Sequence, residues 1–286
     1  ELTKGWKHIL TDQFHDIIPG SSIHEVYEDS RKDYEYIQSV AQGVQEDALS
    51  HIIEDKKDCY TVFNASGWKR SEIVTIPNER AGIYRDEQGN ELDAQQAGTV
   101  TYVEVKDIPA MGTGTIIFEE KKAEETEAEF TICGKNIETP YYSMSMNGYG
   151  QITRLYDKIF ARDVLPKGER ANVFQMFEDK PLDNDAWDID IFYQEKIREI
   201  TDMTKFEVIE CGPLQMKIHM EWNYMNSFIA QDMVLYSNTR RIDFRTTVDY
   251  HEQHQLLKVA FPVDIRSTFG TYDVQYGNVR RPNHWN

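Results

Sequence analysis

The densest set of chemically capable side chains is Gln13-Phe14-His15-Asp16, followed at once by the helix-stopping Ile17-Ile18-Pro19-Gly20. On a helix, consecutive residues point about 100° apart, so His15 and Asp16 are expected to address two different ligands. An imidazole beside the unpaired carbonyls of a last helical turn suits a cation, and a carboxylate one step round can accept hydrogen bonds from hydroxyl groups. On residue types alone, such a pair serves a local cap or a hydrogen-bonded contact more often than a metal. Zinc wants three or four ligands, and neither an HExxH pattern nor a clustered Cys/His set is present. A second candidate runs from Phe177-Glu178-Asp179-Lys180-Pro181 to Asp185-Ala186-Trp187-Asp188-Ile189-Asp190. Carboxylates interleaved with an indole can accept from sugar hydroxyls while the ring covers a C–H face, although an acidic loop with one anchoring Trp has the same composition. A third is Gln275-Tyr276-Gly277-Asn278-Val279-Arg280-Arg281-Pro282, which places two cations on a Gly-containing loop. His24, His251 and His254 read as surface or turn residues.

The elements that position these residues follow from hydrophobic spacing. Trp6, Ile9, Leu10, Phe14, Ile17 and Ile18 recur every three or four residues, which predicts an amphipathic helix over Thr3 to Ile18. Ser22 and Glu25 have capping-box spacing and predict the start of a second helix. Its apolar face runs from Ile23 through Val26, Tyr27, Tyr34, Ile37, Ala41, Val44 and Ala48 to Ile52, a stripe that only a helical bundle would bury. The charges of Asp55-Lys56-Lys57-Asp58 end this pattern. Short β-rich runs follow at Tyr60 to Phe63, Glu72 to Ile76, Thr99 to Val105, Thr115 to Glu119 and Ile152 to Tyr156, with turn pairs such as Gly89-Asn90 and Asn147-Gly148. Longer strands are expected at Phe206 to Cys211, Leu214 to Tyr224, Phe228 to Tyr236, Arg241 to Tyr250 and Leu256 to Val263. Strict alternation through Ile242, Phe244, Thr246, Val248 and Tyr250 predicts one buried and one wet face, hence antiparallel pairing. The expected fold is mainly β: a large antiparallel β-sandwich region preceded by a helical hairpin from a helical bundle. The expected boundaries are 1–57 for the helical segment, 58–125 for a small β domain and 126–286 for the large sandwich, with acidic Glu119 to Glu129 as the linker.

Composition narrows the function classes. The 286 residues carry 31 basic and 49 acidic side chains, a net charge of −18 that repels nucleic acid and anionic lipid. No apolar run approaches the roughly 20 residues that span a bilayer, and no signal peptide opens the chain. Cys59, Cys133 and Cys211 form no CxxC pair, which argues for a reducing, cytoplasmic compartment. The sequon Asn64-Ala65-Ser66 is then accidental. A chain that begins at Glu1 without Met and stops on Trp285-Asn286 reads as a piece of something longer.

The run from Gln13 to Tyr27, QFHDIIPGSSIHEVY, resembles the motif that joins the middle helical domain to its neighbours in the α-mannosidases of glycoside hydrolase family thirty-eight. Asn147-Gly148-Tyr149-Gly150, Leu155-Tyr156-Asp157-Lys158, Phe177 to Pro181 with Asp185 to Asp190, and Tyr276 to Pro282 are similar, in the same order, to motifs of the C-terminal β region of those enzymes. The resemblance covers nearly the whole chain. It implies retaining hydrolysis of α-mannosides with one bound divalent metal, usually zinc. By it, His15 matches the metal ligand supplied by the helical domain and Asp16 a neighbouring carboxylate that binds sugar hydroxyls. Trp187, Asp188 and Tyr276 match loops that approach the same pocket. The other metal ligands, the nucleophile and the general acid are then expected before Glu1, with no catalytic carboxylate in this chain. The implied partner is a mannose-containing oligosaccharide or small mannoside, with no nucleic acid or membrane; a homo-oligomer is compatible with the sequence. Two alternatives remain open: a hydrolase of a small conjugate such as mannosylglycerate, and a non-catalytic carbohydrate-binding sandwich in which His15 is structural.

Overall fold

A computed structural model of the chain describes residues 1–53, 56–122, 126–185, 187–275 and 277–284. The chain divides into two compact units. One comprises Glu1–Glu127 with Phe177–Ile197 and Gln253–Leu256; the other comprises Ala128–Met176 with Arg198–Glu252 and Leu257–Asn286.

The first unit opens with helix α1 (Leu2–Asp12) and helix α2 (His24–Ile52). They pack as an antiparallel hairpin: Lys4 Nζ lies 4.3 Å from the Tyr36 ring centroid, the His8 and Tyr36 rings are 5.5 Å apart, and His8 Nδ1 meets Asp33 Oδ1 at 2.8 Å. The predicted helix over 3–18 therefore ends six residues early. Past Asp12 the backbone bonds tighten, with Phe14 N–H on Thr11 C=O, Ile17 N–H on Phe14 C=O and Gly20 N–H on Ile17 C=O. The Asp16 carbonyl, which an α-helix would give to the Gly20 N–H, accepts the Ser22 hydroxyl at 2.6 Å instead. The expected capping box is also absent. The N-cap of α2 is Ile23, whose side chain has no polar atom to cap with, and the Ser22 hydroxyl is engaged with Asp16 instead of the first turn. The apolar stripe of α2 is open in this hairpin, with Tyr34, Val44 and Ile52 exposed.

The rest of the unit contains two small antiparallel sheets. One runs in the order Cys59–Asn64, Gly112–Glu119, Ile83–Arg85, Glu91–Leu92, and the other in the order Arg70–Ile76, Val100–Ile108, Ala94–Ala97. Ile76, Val103, Val105 and Ile108 from one sheet pack against Tyr84, Ile116 and Phe118 from the other. Asn64 is buried here, its amide donating to the Trp68, Ile108 and Pro109 carbonyls, so the sequon nitrogen is fully committed to structure. The expected linker over 119–129 starts in the last strand, which ends at Glu119, and its middle residues lie outside the described ones.

In the second unit a five-stranded sheet (Arg162–Asp163, Ile152–Asp157, Tyr142–Met146, Asn136–Glu138, Thr131–Cys133) faces a four-stranded one (Met203–Cys211, Gln215–Tyr224, Ser227–Tyr236, Ile242–Asp249). Both are antiparallel. Ile137, Met144 and Ile152 from the first sheet and Met216, Ile218, Met220, Trp222, Ile229 and Met233 from the second fill a single core, each such side chain adding roughly 1.5–3 kcal/mol by leaving water. This is the sandwich that period-two alternation predicts. The alternating run Ile242 to Tyr250 differs in one respect. Ile242 and Phe244 pack at the core margin, but Val248 and Tyr250 are exposed at the far end of this strand, which is the sheet edge.

Candidate functional site

His15 and Asp16 lie in the turn between the two helices, three and four residues beyond the end of α1. That position changes the geometry expected of them. Off the helix, neighbouring side chains are no longer held 100° apart, and His15 Nε2 approaches Asp16 Oδ2 to 3.3 Å. Their side chains keep 72% and 44% of their accessible surface, so the pair presents one imidazole nitrogen and one carboxylate to the outside. The Phe14 ring, at 4.3 Å between centroids, backs the imidazole.

Three residues from the start of α2 hold this turn, none of which the sequence marked for the purpose. Ser22 Oγ donates to the Asp16 carbonyl at 2.6 Å, Ser21 Oγ does so at 3.4 Å, and the Tyr27 hydroxyl lies 3.5 Å from the same oxygen while accepting the Ser22 N–H at 2.7 Å. The Ser-x-x-Glu spacing drew attention to Ser22 but named the wrong partner.

The Phe177–Ile197 segment carries the second candidate. Trp187 and Asp188 both donate their N–H groups to the Asn184 carbonyl, at 2.7 and 3.0 Å, in a turn where Asn184 has φ 54. The Asp190 carboxylate closes the base of the loop on the Leu182 N–H at 2.8 Å. Trp187 is 59% exposed, which leaves its ring face free for a flat apolar ligand surface, and Asp188 is exposed beside it. At the root of the loop, Lys180 and Lys196 flank Glu178 and hold its carboxyl down at about 2. Tyr276, the remaining candidate, lies outside the described residues. The hairpin that bears it, Phe269–Val274 with Gly277–Pro282, stacks Arg280 on the Phe269 ring at 4.3 Å and Arg281 near Tyr272 at 5.9 Å.

The structure thus joins His15 to Asp16, and Trp187 to Asp188. No hydrogen bond or ion pair among the described residues links the first pair to the second. Among the described residues no group of three or more His, Cys, Asp or Glu side chains is placed to hold a metal ion. His15 and Asp16 offer one nitrogen and one oxygen donor, types that zinc accepts, so they fit a metal as part of a ligand set and fall short of a whole one. His24 pairs with Glu28 at 3.3 Å on the surface, His251 with Asp249 at 2.8 Å, and His254 serves through its carbonyl, which accepts the Asp179 N–H. Among the histidines that carry no signal in the sequence, His219 has the most highly charged surroundings. His219 is gripped by Asp232 at 2.7 Å and Glu221 at 2.9 Å, a constellation that only strand register brings together.

Comparison with known proteins gives these local features a context. Residues 137–286 match the model of the glycosyl hydrolases family 38 C-terminal domain, and residues 1–52 match that of the alpha mannosidase middle domain. The chain belongs to glycosyl hydrolase family 38. Alpha-mannosidase G of Dictyostelium discoideum is 27% identical over the whole of this chain, and human alpha-mannosidase 2C1 is 25% identical, also over the whole chain. The chain spans 30% and 27% of the length of these two relatives. Among solved structures, a family 38 glycosyl hydrolase from Enterococcus faecalis matches with a TM-score of 0.76 at 16% identity, over 98% of this chain and 42% of that one. An alpha-mannosidase from the same species matches with a TM-score of 0.75 at 17% identity, over 98% and 40%. These likenesses establish the fold. The His15–Asp16 turn falls inside the match to the middle domain, whereas Trp187, Asp188 and Tyr276 fall inside the match to the C-terminal domain.

Proposed function

We propose that the protein carrying this chain hydrolyses α-mannosides with retention, and that His15 and Asp16 are this chain's share of a metal-dependent sugar site. The observation that carries the reading is a solvent-accessible imidazole–carboxylate pair, in a turn held by Ser22 and Tyr27, inside the segment that matches the alpha mannosidase middle domain. The relatives' names supply the substrate class: each is called an alpha-mannosidase. Retention requires two carboxyl groups about 5–5.5 Å apart, one attacking the anomeric carbon and one protonating the departing oxygen. In this reading both come from parts of the protein outside residues 1–286, as do the remaining metal ligands.

A divalent ion, zinc in this reading, would be held in part by His15 and would supply a Lewis-acidic point for the hydroxyls of the sugar. The residues of this chain have simpler tasks. The His15 ring would offer a nitrogen lone pair to the ion, and the Asp16 carboxylate beside it accepts hydrogen bonds from sugar hydroxyls. Trp187 covers an apolar C–H face of the substrate, with Asp188 contributing a polar contact beside it. Together these groups orient the sugar without themselves entering the bond-breaking step.

An aryl α-mannoside assay on the full-length protein, with proton NMR of the first-released sugar, tests this. Hydrolysis that releases α-mannose first is expected, with no turnover by residues 1–286 alone. Turnover by the isolated chain would refute the assignment of the catalytic carboxylates to other parts of the protein, and release of β-mannose first would refute retention.

A further inference from the structure

The His15 side chain is largely exposed and that of Asp16 half-buried, and their polar partners among the described residues are each other. Their direction is therefore set by the backbone that carries them. Besides the backbone bonds of the turn, the side chains that hold it converge on one atom, the Asp16 carbonyl oxygen, which the local hydrogen-bonding pattern leaves free because the Gly20 N–H has gone to Ile17. The Ser22 hydroxyl takes it at 2.6 Å. Ser22 is in turn held by its N–H on the Tyr27 hydroxyl at 2.7 Å, and that hydroxyl also reaches toward the Asp16 carbonyl at 3.5 Å. Tyr27 stands in the first turn of the 29-residue helix α2, so the chain of contacts ties an exposed turn to the most extended rigid element of its unit.

We propose that Tyr27, acting through Ser22, is a positioning residue for the His15–Asp16 pair. It locks the Asp16 peptide so that the imidazole and the carboxylate face the same side. This rests on the reading of that pair as part of a metal site. A positioning group has a characteristic energetic signature: ligand residues that are free to swing must be ordered when the ion binds, and affinity falls while the fold survives. Residues beyond the ligands typically change metal affinity by about 10–100-fold when removed. Tyr27→Phe keeps the ring and removes the hydroxyl, so its effect belongs at the lower end, about tenfold.

The test uses the full-length protein, loaded with zinc and titrated with a chelating competitor, alongside amide hydrogen exchange of the segment from Gln13 to Ser22. For Tyr27→Phe we expect about tenfold weaker zinc retention and faster exchange at Ser22, with an unchanged melting temperature. Ser22→Ala should do the same, and Ser22→Thr, which keeps a hydroxyl, should restore retention. Tyr34→Phe, an exposed residue on the same helix, should change neither readout. Zinc retention in Tyr27→Phe and Ser22→Ala equal to that of the wild type would overturn the proposal even if exchange quickened. A wild-type protein that retains no zinc would overturn the functional reading itself, an outcome recognised without any variant.

Discussion

Neutralising His219 should remove a pH-dependent part of the stability of the large sandwich. The ring lies on the polar face of the four-stranded sheet, with Nδ1 on Asp232 at 2.7 Å and Nε2 on Glu221 at 2.9 Å. With a carboxylate at each nitrogen, the doubly protonated imidazolium is the favoured form. Asp232 first and Glu221 second raise the His219 pKa above its ordinary 6.5. The surrounding charges are Glu207, opposite His219 in register, Lys205 at 3.2 Å from Glu207 and 3.8 Å from Glu221, Arg245 opposite Asp232, and Lys217 paired with Glu210. Because the folded value exceeds the unfolded one, the stabilisation is fully present below pH 6.5 and is lost as pH rises through the raised value. One linked proton limits the slope to about 1.4 kcal/mol per pH unit. Two charge-assisted bonds could contribute about 3 kcal/mol, and the partial exposure of all three side chains reduces this to about 2 kcal/mol. His219→Gln, neutral at every pH, should therefore lower stability by about 2 kcal/mol at pH 6 and by much less well above the raised value. Denaturant unfolding followed by the fluorescence of Trp222, buried in the same unit, measures both. An identical pH slope in wild type and variant between pH 6 and 9 would refute the reasoning.

Two further changes probe the same unit. Gly150→Ala places a Cβ 2.5 Å from Trp222 Cζ2 at φ +76, so a loss of about 2–4 kcal/mol is expected in the same unfolding experiment, and a loss under 1 kcal/mol would contradict the packing described. Arg170 grips both oxygens of Glu199 at 2.7 and 2.8 Å and lowers its pKa, so the pair's contribution is complete above the ordinary carboxyl value of 4.5 and disappears as pH falls through the lowered one. Arg170→Met should cost about 1–2 kcal/mol at pH 7, including the charged donor lost by buried Gln151, and should flatten the acid limb of the stability profile between pH 5 and 3.

Much of the fold was legible because its signals are local. Leu214 to Tyr224 was expected and Gln215–Tyr224 is found, since alternation and flanking turns bound a strand within a residue or two. Periodicity is silent on what covers a face, which is why Val248 and Tyr250 look buried in sequence and are exposed at an edge. It is equally silent on hydrogen-bond partners. Phe14, Ile17 and Ile18 continue the helical spacing beyond Asp12, yet the Ser22 hydroxyl captures the carbonyl that helix propagation would need. For the site, a motif marks His15 and Asp16, but helical spacing hides their mutual contact, because α1 ends at Asp12 before reaching them. The His219 clamp was illegible because residues 219 and 232 become neighbours only through a hairpin register.

The proposed function rests on the exposed imidazole of His15, in the turn after α1, belonging to a metal site that serves mannoside hydrolysis. Metal content per protein molecule, measured together with aryl α-mannoside turnover for the full-length wild type and its His15→Ala variant, tests it most directly. About one zinc per wild-type molecule is expected, with both metal and turnover lost in an otherwise folded variant. Retention of both by His15→Ala would contradict it.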